Sequence, residues 1–181
     1  PLARARGGAD GRRGAPSVRG AAPVHGGAPR PLDAELPPSG ARRGLRVHAI
    51  DISETAARGL ADTRDRDHLL LSPIVADLES FPLPIATYDV VVNMNFLHRP
   101  LLPALARTLR PGGILVFETF LVAQAEHGHP KNPAHLLAPG ELRAGFADRL
   151  TILDYREGPV ERDGTTTHLA SLLARRNRRA M

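Results

Sequence analysis

The clearest order in the chain runs from Leu45 to Ala174, where short apolar runs alternate with polar and amphipathic stretches. Residues 46–50, with Val47 and Ile50 apolar, read as a strand. Ser53 suits a helix N-cap, and Ala56, Ala57 and Leu60 carry a helix to about Thr63. Residues 69–75 contain a second strand, with Pro73 confining regular pairing to its later part. Residues 88–93 are a dense apolar strand. A helix over 101–109, entered through Pro100 and closed by Pro111-Gly112-Gly113, leads into a buried strand at 114–118. A loop spans 121–137, and a short helix follows at 139–146. Residues 150–156 and 168–174 face each other across Glu161-Arg162-Asp163-Gly164, the signal of a terminal antiparallel hairpin.

Strands alternating with helices predict an α/β fold with a Rossmann-like sheet. Such sheets hold a nucleotide-like ligand at the carboxyl ends of their strands. The predicted strands end on polar residues at Asp51, Asp77 and Asn93. A carboxylate at Asp51, between a strand and a helix, can accept two hydrogen bonds from the vicinal hydroxyls of a ribose. It can equally serve to cap the helix that follows.

Composition separates the first 44 residues from the rest. Gly, Pro, Arg and Ala fill 33 of those 44 positions, and the large apolar residues Leu2, Val18, Val24, Leu32 and Leu36 follow neither helical nor strand spacing. A segment of this kind buries too little apolar surface to offset its ordering entropy. Residues 1–44 are therefore expected to be a disordered arm, 45–175 the folded domain and 176–181 a basic tail. The composition suits a natural flexible arm, and it also suits GC-rich DNA read out of frame upstream of codon 41, with Pro1 opening a fragment.

The net charge of +5 comes wholly from the arm, which carries eight Arg against Asp10, Asp33 and Glu35. The basic residues gather at the two ends and aromatics are scarce, which argues against a nucleic-acid partner. There are no cysteines, so thiolate metal sites, disulfides and cysteine nucleophiles are excluded. No apolar run approaches the ~18 residues of a membrane span. No secretory leader is legible, and the cytoplasm is the default compartment. Sequence carries no statement on oligomeric state. Lys131 is the only lysine.

The acidic strand ends Asp51 and Asp77, the run Tyr88-Asp89-Val90-Val91-Val92-Asn93, and Arg110-Pro111-Gly112-Gly113 followed by Ile-Leu-Val-Phe-Glu-Thr-Phe resemble class I S-adenosylmethionine-dependent methyltransferases. Glu118 to Gln124 and the His127–Leu137 stretch resemble a subgroup related to tellurite-resistance methyltransferases. The resemblance covers about residues 45 to 175 and implies S-adenosylmethionine as cofactor and a small-molecule methyl acceptor. It implies a ribose contact for Asp51 and apolar adenine walls at Ile52 and Leu78. It gives Asp77 the adenine amine and the Leu78 backbone N–H a ring nitrogen. Asn93 would orient the cofactor's amino-acid moiety, with Asn95, Phe120 and Gln124 on the acceptor side. His129 and His127 are the candidate bases. His127, His129 and His135 also raise a metal reading, but Pro130 and Pro133 break the helical spacing such a site would use.

One departure stands out. The family's opening strand and acidic, glycine-spaced loop belong about 20 residues before Asp51. Gly20, Gly26 and Gly27 lie there without an apolar strand before them. The sheet is therefore expected to lack its first strand. Three other readings compete with methyl transfer: a non-catalytic remnant of the family, an NAD-linked Rossmann oxidoreductase and a polyanion-binding module acting through the basic ends.

Overall fold

In the computed structural model the described residues are 17–21, 31–162 and 164–178. In chain order the elements are β1 (Ser17–Ala21), α1 (Pro31–Arg42), β2 (Arg46–Asp51), α2 (Glu54–Asp67), β3 (Leu71–Val75) and β4 (Tyr88–Met94). Then come α3 (Leu102–Thr108), β5 (Leu109–Phe120), α4 (Gln124–His127), α5 (Glu141–Ala147), β6 (Thr151–Arg162) and β7 (Thr165–Arg175). The strands form one seven-stranded sheet in the order β3-β2-β1-β4-β5-β7-β6. The first five are parallel, and β7 runs antiparallel to both β5 and β6. This is the Rossmann-like sheet with a terminal hairpin that the alternation of elements predicts.

The missing first strand is a correction. Ser17–Ala21 lies inside the sheet, pairing with β2 from Ser17↔Arg46 to Ala21↔Ile50 and with β4 from Val18↔Val90 to Ala21↔Asn93. The expectation of a disordered arm is overturned for these residues and for α1. The physical reason is backbone pairing. Without a strand between them, β2 and β4 would each bury a row of unpaired N–H and C=O groups. A strand bonded on both sides satisfies those rows whatever its own apolar content. In α1 the interior prolines Pro37 and Pro38 are buried, as is Ala41. Packing there offsets the helix hydrogen bonds that proline cannot make. Residues 22–30, with Gly26 and Gly27, lie outside the described residues.

Side-chain alternation divides the sheet into two faces. On one, Val47, Ala49 and Leu71 form a small core with Ala41 of α1, and Leu60 of α2 packs against it. On the other, Val91, Leu115, Phe117, Ala170, Leu172 and Ala174 join Leu102 and Leu105 of α3 and Leu142 and Phe146 of α5. Phe117 and Phe146 meet with ring centroids 5.8 Å apart. Pro73 pairs with Ala49 inside the β3 ladder, which is tolerated because β3 is an edge strand.

Local chemistry sets the element ends. Ser53 caps α2, its hydroxyl accepting from the Ala56 N–H at 3.2 Å. The Pro-Gly-Gly turn lies inside β5, which starts at Leu109 beside Tyr88 and shifts register before Val90 pairs with Ile114. A Cβ at Gly113 would stand 2.9 Å from the Arg110 carbonyl oxygen and 3.1 Å from those of Asp89 and Tyr88, so the crossing needs glycine. The basic tail is bound where it begins. Arg176 exchanges backbone hydrogen bonds with Gly112 and Gly113, and its guanidinium reaches the Arg107 and Leu109 carbonyls. Among the described residues no helix is long and apolar enough to cross a membrane.

Candidate active site

In an open parallel sheet the ligand crevice lies outside the carboxyl ends, where the strand order reverses. Here the chain runs from β1 through β2 to β3 on one side, then crosses to β4 and β5 on the other. The reversal falls between β1 and β4. Register places the site residues on this edge. Ala21 pairs with Ile50 on one side and Asn93 on the other, and Asp51 is the next residue of β2. Asp51 pairs with Val75, two residues before Asp77. Strands lie about 4.8 Å apart, so Asp51 and Asn93 stand on backbones roughly 10 Å apart across the β1 end.

Asp51 is buried, and its Oδ1 accepts from the Ser53 N–H at 2.8 Å. Burial holds its carboxyl above the ordinary aspartate range, opposed by the backbone hydrogen bonds of Ser53 and Ile52. The capping and ribose readings of Asp51 need not exclude each other, since a carboxylate has about four acceptor sites. Ile52 is 45% exposed beside it, an apolar side chain left at the mouth of the crevice. Asp77 is exposed and turns the chain by accepting from the Glu79 N–H at 2.9 Å. Leu78 corrects an expectation: its side chain packs in the main core and offers no wall to a ligand.

Asn93 sits at the point of reversal and is fully buried. Its Nδ2 donates to the Phe96 carbonyl at 2.8 Å, while its Oδ1 has no partner among the described residues. Asn95 takes a left-handed conformation with φ of 54°, and its N–H continues the β5 ladder to the Glu118 carbonyl at 2.8 Å. Phe120, half-buried, ends β5.

Gln124 is a further correction to the acceptor-side set. It is buried, and its side chain mends the sheet where β5 ends. Oε1 accepts from the His168 N–H of β7 at 2.8 Å, and Nε2 donates to the His129 carbonyl at 3.3 Å. It holds a loop in place and is not open to substrate. His127 and His129 are exposed, and the His127 ring stacks on that of His168 with centroids 4.4 Å apart.

The structure also brings in residues that sequence reasoning missed. Thr119, buried on β5, leaves its Oγ1 without a partner among the described residues. Arg99, just after β4, bonds Glu141 at 2.5 and 2.9 Å and the carbonyls of Ala134 and Leu136 at 2.9 Å each. The Glu141 carboxyl is held below the usual glutamate range, first by this guanidinium. An arginine followed by proline at a strand exit was the only signal in the sequence, and it named no partner. A groove of about 620 Å³ lined by Gly112, Ile114, Arg175, Asn177 and Arg178 lies at the opposite end of the strands.

A buried carboxylate and an amide oxygen without a partner among the described residues thus flank the reversal point of a parallel sheet. Residues 34–117 match the family model described as a methyltransferase domain. That span, somewhat under half of the chain, is similar to a methyltransferase domain. No curated protein matches the sequence. Solved structures share the fold at low identity. TehB from Haemophilus influenzae gives a TM-score of 0.65 at 20% identity over 76% of this chain and 52% of that one, so this chain spans about half the length of that relative. Geranyl diphosphate C-methyltransferase from Streptomyces coelicolor, solved with S-adenosyl-L-homocysteine, gives 0.62 at 14% identity over 91% and 73% of the two chains. The cyclase SpnF gives 0.69 at 14% identity over 91% and 76%. Since that neighbour is a cyclase, shape by itself does not select methyl transfer.

Proposed function

We propose that this domain transfers the methyl group of S-adenosylmethionine to a small-molecule nucleophile. The observation that carries the reading is that buried Asp51 and the Asn93 Oδ1, which has no partner among the described residues, lie on either side of the β1 end. The two groups suit the two polar parts of this cofactor. Asp51 accepts from the ribose hydroxyls. Asn93 Oδ1 accepts from the ammonium of the amino-acid moiety, which relieves the cost of a buried acceptor left without a donor. Between Asp51 and the β3 end, Ile52 lies against the adenine, Asp77 accepts from its exocyclic amine, and the Leu78 backbone N–H meets a ring nitrogen.

When bound, the cofactor supplies a methyl group already activated on a sulfonium. The chain's own work is to align the acceptor with that carbon and keep water out. Asn95 and Phe120, at the exits of β4 and β5, line the acceptor side. His129 and His127 are the candidate bases, and both are exposed, where water competes for their protons. That exposure favours an acceptor needing no base, such as an anionic or soft nucleophile of the tellurite or thiol type. The test is calorimetric titration with S-adenosylhomocysteine. Micromolar binding that is lost in Asp51→Ala supports the reading, and turnover is then sought with tellurite and small thiols. A folded protein that binds no S-adenosylhomocysteine refutes it.

A further inference from the structure

We infer, on the methyltransferase reading above, that Arg99 is the positioning residue of the acceptor side. β4 leaves the sheet after Met94, and beyond that point its place beside β5 is taken by Leu137. The Leu137 N–H donates to the Phe120 carbonyl and the Val122 N–H to the Leu137 carbonyl, both at 2.9 Å, forming a parallel bridge between Leu121 and Leu137. One bridge is far shorter than a strand and holds little by itself.

Arg99 supplies the rest. Its Nη1 donates to the Ala134 carbonyl and its Nη2 to that of Leu136, on either side of the bend that leads into Leu137. Nε and Nη2 also donate to the two carboxylate oxygens of Glu141, and Glu141 Oε2 accepts from the Ala138 N–H at 2.8 Å. A single planar guanidinium thus ties the β4 exit, the start of α5 and the segment between residues 134 and 138. Only arginine has the fork of donors to do this; lysine offers a point charge.

The tied parts are all on the β4–β5 half of the crevice. Asp51, Ile52 and Asp77 stand on the β2–β3 half. Arg99 therefore sets the wall against which the acceptor lies and leaves the nucleoside part of the cofactor site alone.

The loop carries its own reporter. Lys131 is the only lysine of the chain and is exposed, so endoproteinase Lys-C cuts at one place, just before the tied segment. Arg99→Gln should speed that cut on the order of tenfold, since losing ~1.4 kcal/mol of local order raises the open population by that factor. Glu141→Gln, which leaves the two carbonyl contacts in place, should fall between it and the wild type. Affinity for S-adenosylhomocysteine should stay within about twofold in both variants. In turnover with tellurite, or with a thiol if that is the acceptor used, the loss should fall on the acceptor's KM and not on the cofactor's. An unchanged cutting rate, or a fall in S-adenosylhomocysteine affinity alongside it, overturns the inference. Wild-type protein that fails to bind S-adenosylhomocysteine sinks the methyltransferase reading, while the cutting rates still decide whether Arg99 holds the wall.

Discussion

Asp51→Asn should weaken cofactor binding and strengthen the fold at once. The variant keeps the shape of the side chain and an Oδ1 to accept from the Ser53 N–H, now at 2.8 Å. It loses the negative charge and turns one acceptor into a donor. Two ribose hydroxyls that donated to a carboxylate then meet one amide. Hydrogen bonds to charged groups are worth about 1.5–3 kcal/mol and neutral ones about 1. Losing roughly 1–1.5 kcal/mol at each hydroxyl gives ~2–3 kcal/mol, or a 30- to 150-fold weaker Kd for S-adenosylhomocysteine.

Stability should move the other way. Burial raises the Asp51 carboxyl above its unfolded value, so folding favours the protonated form. The resulting contribution is fully present below the unfolded pKa and is lost as pH rises through the raised folded one. At neutral pH the wild type holds a buried charge that the amide variant does not. Urea unfolding at pH 7.5 should show a higher midpoint for Asp51→Asn, and the difference should shrink as the pH is lowered through the carboxylate range. A variant that is less stable at neutral pH, or that binds S-adenosylhomocysteine within threefold of wild type, would refute the reasoning.

Three other outcomes follow from particular contacts. Gly113→Ala should cost ~2–4 kcal/mol in urea unfolding, because its Cβ would press on three backbone oxygens that cannot swing away. Gly112→Ala, with φ of 85° but only the Arg178 side chain nearby, should cost about 1–2 kcal/mol, and the opposite ranking would count against the turn geometry. Gln124→Ala should lose ~1–3 kcal/mol, since the His168 N–H is left without its acceptor, and amide exchange at His168 should accelerate. His129→Ala should leave S-adenosylhomocysteine binding unchanged. A large drop in turnover in that variant would show that the exposed imidazole acts as a base after all.

The parts legible in the sequence are those whose own side chains carry the pattern. The apolar runs of β2, β4 and β5, the Ser53 cap and the hairpin around Gly164 each announce themselves over a few residues. β1 does not, because the ladders of its two neighbours hold Ser-Val-Arg-Gly-Ala without a strand pattern of its own. α1 was hidden by Pro37 and Pro38, which local propensity counts against a helix and which packing accommodates. The strand-end positions of Asp51 and Asn93 were readable because strand ends are readable. The Arg99–Glu141 pair, 42 residues apart in sequence, was not. Gln124 shows the opposite failure. Its place after β5 suggested contact with substrate, and only the folded chain reveals a side chain completing a backbone ladder.

The interior position of β1 also bears on how the chain reaches this structure. Val18 pairs with Val47 and with Val90, so the first of the described strands is among the last to be fully bonded. On a growing chain it must wait through the making of α1, β2, α2 and β3 before its second neighbour exists. Pairings so far apart in sequence close slowly and leave partly bonded strands open to misassociation in the interval. The strand that joins β2 to β4 is thus also the sheet's kinetic seam. Substitutions that weaken Ser17–Ala21 should show first as lost yield of folded protein during synthesis, before they show as a lower melting temperature of what has folded.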